Sequence, residues 1–176
     1  MSVEATDPIS KVFADIIGKP AWLVRRGYAS YLTFEFGEPH LEFREPIPES
    51  KLELLRRRNI SVRGEWHLWI HSCDWHVTVD GGEVAHSESA DHVIDAAARA
   101  LDSRQLLAVD VDRPGSCRFA FESGALLETI PYDDDRETDQ WLLFAPDGNV
   151  LTLRGDAKYS WGPGSLGPEQ VVWIPL

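Results

Sequence analysis

"EWHLWIHSCDWHV" (65–77) places three tryptophans, three histidines, a cysteine and an aspartate in thirteen positions. Successive side chains of a strand point to opposite faces, so Trp66, Leu68 and Ile70 share one face and His67, Trp69 and His71 the other. Ser72-Cys73-Asp74 then reads as a turn, and "WHVTV" as a strand returning beside the first. The stretch predicts a β-hairpin rich in aromatic rings.

The same period of two recurs on both sides of it. In "YLTFEF" (31–36), Leu32, Phe34 and Phe36 alternate with Thr33 and Glu35; in "CRFAF" (117–121), Cys117, Phe119 and Phe121 alternate with Arg118 and Ala120. Gly37-Glu38-Pro39 and Ser123-Gly124 predict turns after these strands. Two segments follow the helical period instead. Asp7 caps and Pro8 opens a helix with the apolar stripe Ile9, Val12, Phe13, Ile16 and Ile17, ended by Gly18 and Pro20. "SADHVIDAAARALDS" (89–103) predicts a second helix, with Ser89 as its cap and Val93, Ile94, Ala97, Ala98 and Leu101 as its buried face.

These patterns repeat in order. A shift of 85 lays Ile9 on Ile94, Val24 on Val109, Phe34 on Phe119 and Pro46 on Pro131; a shift of 75 then matches Trp66 to Trp141. The difference falls in "PESKLELLRRRN" (48–59), read as an insertion with a short helix, Leu52, Leu54 and Leu55 inward and Arg56, Arg57 and Arg58 at its end. The expected fold class is therefore α+β and internally duplicated, with repeats at 7–86 and 92–174. Each repeat is one helix followed by an antiparallel β-meander, and the halves pack about a pseudo-two-fold as a single domain, 1–176. "WGPGSLGPEQ" (161–170) reads as a loop and "VVWI" as a closing strand.

The histidines raise the question of metal. His67, His71, Cys73 and His76 have the donor chemistry of a zinc site, whose ligands lie ~2.0 to 2.3 Å from the ion. Yet His67 and His71, four apart on a strand, are separated by ~13 Å. No metal is expected, and these four residues are the alternative ligand set. Cys73 lacks a helix N-terminus to activate its thiol, and Cys73 and Cys117 read as free thiols. "GPGSLG" lacks the strand-then-helix context of a nucleophile elbow. Neither a phosphate-binding glycine loop nor a dinucleotide fingerprint occurs, so no cofactor and no catalytic residue is assigned.

Charge narrows the partners. The chain carries 29 acidic and 17 basic side chains, for a formal charge of −12. That argues against nucleic acid and anionic membrane and favours a basic protein. "YDDDRETD" (132–139) concentrates the acidity: Asp133, Asp134, Asp135, Glu137 and Asp139 form a docking surface in the sharper reading, with Tyr132 as its anchor. The start "MSVEATDPISK" has no basic, apolar leader, and the expected location is cytoplasmic.

"YLTFEFGEPHLEF" and "QWLLFAPDGNVLTL" carry a resemblance. They are similar to strand-rich, acidic small bacterial proteins with the patterns F-x-F-x-x-G-x-L and W-x-L-x-x-P-x-G, a type found among immunity proteins that neutralise toxins. The resemblance implies a non-enzymatic binding protein and carries over no catalytic residue. The runner-up is a small-ligand- or metal-binding enzyme using the His67, His71 and His76 region. A homodimer formed through exposed tryptophans is the third reading.

Overall fold

In the computed structural model, which describes residues 7–112 and 115–176, period-two alternation governs most of the chain. The start Met1–Thr6, read above for its lack of a leader, lies outside the described residues. Asp7 accepts hydrogen bonds from the Ile9 and Ser10 amides and so begins α1 (Pro8–Phe13). The chain continues through β1 (Trp22–Arg26), β2 (Leu32–Arg44), β3 (Asn59–Ile70), β4 (Asp74–Val79) and β5 (Gly82–His86). After α2 (Asp91–Leu101) come β6 (Leu106–Val111), β7 (Cys117–Phe121), β8 (Ala125–Ile130), β9 (Asp139–Phe144), β10 (Asn149–Arg154), β11 (Lys158–Pro163) and β12 (Ile174–Pro175).

The strands form two antiparallel sheets. The first runs β1-β2-β3-β9-β10-β11-β12 and the second β5-β4-β8-β7-β6. Their inner faces meet in one core. Phe34 of the first sheet stacks on Phe121 of the second at 5.9 Å, and Phe13, Phe119 and Trp141 meet edge to face. Such rings dominate core energetics through the apolar area they remove from water. α1 packs on β6, and α2 on β1. Arg26 of β1 reaches Asp95 of α2 at 3.0 Å.

This architecture corrects the expected fold class. The protein is mostly β, with 48% strand and 14% helix, and not a duplicated α+β fold. Neither proposed repeat forms its own meander, because both sheets draw strands from both intervals. Trp66 and Trp141 were expected to hold equivalent places in separate halves. They lie instead on β3 and β9, neighbouring strands of one sheet. Alternation reports which face a strand buries; it does not report which strand lies beside it.

The hairpin expected in 65–77 is corrected for the same reason. β3 and β4 never pair: residues 71–73 carry the chain from one sheet to the other. Gly37-Glu38-Pro39 is a bulge inside β2, whose pairing with β3 continues to Arg44 and Asn59. In the 48–59 segment only Glu53–Arg56 coils, as a 3-10 turn, and Leu52 and Leu54 are exposed, not inward. Ala90, not Ser89, caps α2; the Ser89 hydroxyl instead accepts the His86 amide at 2.9 Å. The closing strand is confined to Ile174–Pro175.

Candidate functional site

The described residues hold two sites with chemical potential, both on the first sheet. One lies in the middle of its outer face, where Glu35 stands opposite His67. The bulge makes this position. Gly37 adopts φ +78°, and a Cβ on Gly64 would come within 2.5 Å of the Phe36 carbonyl, so the strands cross closely only because both are glycine. The Gly64 amide, released from the ladder, donates to Glu35 Oε2 at 2.9 Å. His67 Nδ1 lies 2.8 Å from Oε1, and Arg63 donates to the same oxygen at 3.2 Å. Glu35 is 1% exposed. Burial alone raises its pKa, but the hydrogen bonds from His67, Gly64 and Arg63, with the field of His67, hold it below the ordinary carboxylate range. Above the pair lies a depression of about 700 Å3 that His67, Arg63, Arg25, His40, Trp69 and Phe144 help to line.

The second site is the end of the sheet where β3 stops. A tight turn, with Gly27 donating to the Tyr31 carbonyl at 2.7 Å, thrusts Tyr28 outward to 83% exposure. Trp75 of the second sheet holds the turn by donating to the Ser30 carbonyl at 2.9 Å. From Tyr28 the rings run in contact: Tyr28 to Tyr31 at 6.0 Å, Tyr31 to Trp69 at 6.0 Å and to His71 at 5.8 Å, with Trp69 and His71 stacked at 4.5 Å. His71 Nδ1 meets the Ser72 hydroxyl at 2.8 Å; its Nε2 is buried with no partner among the described residues. Burial lowers the His71 pKa and so favours the neutral ring.

The acidic segment borders this end: it leaves β8 after Ile130, which pairs with Asp74, and enters β9 where the Gln140 carbonyl accepts the His71 amide at 3.0 Å. Asp133, Asp134, Asp135 and Glu137 are exposed, and Arg136 pairs with Asp133 at 2.9 Å. Tyr132 is half-buried; its pKa is raised first by burial and then by the fields of Cys73, Asp74, Tyr31 and Asp134. Asp139 has entered β9 opposite Arg154, and burial raises its pKa against the opposing pull of that arginine. The segment's end is fixed by Gln140, whose buried side chain donates to the Gly115 carbonyl at 2.6 Å.

The alternative metal set is dispersed. His67 is engaged with Glu35, His71 belongs to the ring cluster, and His76 lies on the second sheet with its Nε2 2.5 Å from Glu128. Cys73 is buried, contacts the Gln140 carbonyl at 3.7 Å, and has its thiol pKa raised by burial and then by Asp74. Among the described residues no three His, Cys, Asp or Glu side chains are grouped to hold an ion. No helix among them is long and apolar enough to cross a membrane.

Sequence reasoning passed over Glu35, Arg63, Tyr28 and Tyr31. An aromatic residue inside the turn "GYAS" (27–30) was a usable signal, since turns usually take small polar residues. Glu35 gave none, because alternation places it only on the face opposite Leu32, Phe34 and Phe36. No protein-family profile, curated protein or solved structure matches this chain.

Proposed function

We propose that this chain is a non-enzymatic binding protein of the immunity type, which grips a basic partner protein at the β3 end of the first sheet. The observation that carries this reading is the juxtaposition of the contiguous rings Tyr28, Tyr31, Trp69 and His71 with the exposed carboxylates of 133–137. The two parts have different tasks. Carboxylates on an exposed connection raise the association rate and reject acidic competitors, while contributing little lasting affinity. Rings held in place by a buried neighbour supply that affinity, by covering apolar stems and by receiving a Lys or Arg head over their faces.

The test is the binding of a basic protein encoded beside this one. Neutralising Asp133, Asp134 and Asp135 to Asn should slow association and flatten its salt dependence, whereas Tyr28→Ala should speed dissociation. A partner that binds indifferently to salt and to both replacements overturns the assignment. The depression above His67 favours a second reading, a small-ligand site in which Glu35 orients the imidazole.

A further inference from the structure

β2 and β3 run on past the covered core. Phe36 and Trp66 are the last pair of buried residues; beyond the bulge, Leu41 pairs with Val62 and Phe43 with Ile60 on the continuation of the same face. These four side chains are 56%, 43%, 52% and 54% exposed, with no second sheet beneath them. The opposite face, where His40 pairs with Arg63 and Glu42 with Ser61, is polar. The arm thus has the two-faced pattern of a strand pair that covers a core, its apolar face covered among the described residues only by the Arg58 guanidinium, 5.3 Å from the Phe43 ring centroid.

Its charge is also opposite to that of the molecule. Residues 39–64 hold six of the 17 Lys and Arg side chains and four acidic ones, in a chain of net charge −12. Arm and acidic end are the two extremities of the first sheet, separated by the twelve residues of β3, roughly 40 Å at ~3.3 Å per residue.

We infer that the arm docks on the ring-and-carboxylate end of a second copy of this chain, and that the second arm returns the contact in an antiparallel two-fold dimer. Each end supplies what the other lacks. Leu41, Phe43, Ile60 and Val62 would cover the exposed faces of Tyr28, Tyr31 and Trp69. Arg56, Arg57 and Arg58 would meet Asp133, Asp134 and Asp135. At present Arg56 donates to the Ser50 carbonyl at 2.8 Å, Arg57 pairs with Glu53 at 2.8 Å, and Arg58 pairs with Glu45 at 3.1 Å and lies over the Phe43 ring at 5.3 Å. The two ion pairs are exposed and cost little to exchange, and docking would lift Arg58 from Phe43. A reciprocal contact closes on itself, which is the commonest symmetry of soluble oligomers. The inference rests on the binding role given above to the acidic end, and it makes the arm a competitor of the basic partner.

Sedimentation velocity over a range of micromolar concentrations tests it. The wild-type chain should approach twice 19.8 kDa. R56E/R57E/R58E on the arm, or D133K/D134K/D135K on the acidic run, should each weaken association by about tenfold or more, as reversing complementary charges does. Mixing the two variants in equal amounts should restore it, because each reversed end then meets its complement. F43S/I60S should weaken association without altering the fold seen by circular dichroism. A wild-type chain that stays monomeric overturns the inference, as does an arm-reversed variant that self-associates normally or a mixture that fails to recover. A monomeric chain that still binds its basic partner leaves the proposed function intact.

Discussion

β2 and β3 contain two stretches with the same alternation and different surroundings. Over the core, Leu32, Phe34 and Phe36 pair with Ile70, Leu68 and Trp66 and are buried against the second sheet. On the arm, Leu41 and Phe43 pair with Val62 and Ile60 and face solvent. Local pattern is equal in the two; the difference lies entirely in what covers the face. An apolar stripe therefore states a demand for a partner surface, and only the tertiary arrangement tells whether the same chain meets it. Where it does not, the stripe identifies a place for another molecule.

The sharpest way to break this comparison is to truncate one ring in each stretch. Phe34→Ala should destabilise the fold by ~3 to 5 kcal/mol in denaturant titration, the cost of removing a large aromatic from a packed core. A loss below 1 kcal/mol would mean that the two sheets do not press together at Phe34, and the distinction between the stretches would collapse.

An intermediate effect is expected at their junction. Glu35→Leu leaves the Gly64 amide without its acceptor and should cost ~1 to 3 kcal/mol. The acid side of the stability curve checks the same group. Folded, Glu35 ionises below the ordinary value of 4.5, so in acid the native chain binds fewer protons than the unfolded one. Its contribution is complete above pH 4.5 and is lost as pH falls through the lower, folded pKa. Glu35→Gln should therefore flatten the fall in stability below pH 4.5; an unchanged slope would show that Glu35 gains nothing from its partners.

The smallest effect belongs to the arm. Phe43→Ala should leave the stability of the monomer within ~0.5 kcal/mol of wild type, as surface substitutions usually do. A larger loss would show that the arm's face is covered within its own chain.

What the sequence displayed follows the same division. The face of each major strand was legible in Leu32, Phe34 and Phe36 and in Cys117, Phe119 and Phe121, because alternation is a local property. So was the cap at Asp7 and the buried stripe of α2. Strand neighbours were not legible. "SCD" (72–74) looks like a hairpin turn, yet the chain crosses between sheets at 71–73, since short polar or small residues suit both. The close correspondence of Phe34 with Phe119 encouraged a pairing of halves that the interleaved sheets do not keep. In the candidate site, the acidic run could be seen directly as Asp133, Asp134 and Asp135. Its ring neighbours could not, because Tyr28 and Tyr31 lie some hundred positions earlier and reach it only through the turn that Trp75 holds.

Binding at the β3 end is tested most directly by locating, residue by residue, where a cationic ligand binds. An octa-arginine peptide titrated into isotopically labelled protein at low salt, followed by NMR, gives that map. Shifts should concentrate on Tyr28, Tyr31, Trp69, His71, Tyr132 and residues 133–139, and be largely lost when Asp133, Asp134 and Asp135 are changed to Asn. Shifts centred instead on His67 and Phe144, or shifts that survive those replacements unchanged, would contradict binding at the β3 end.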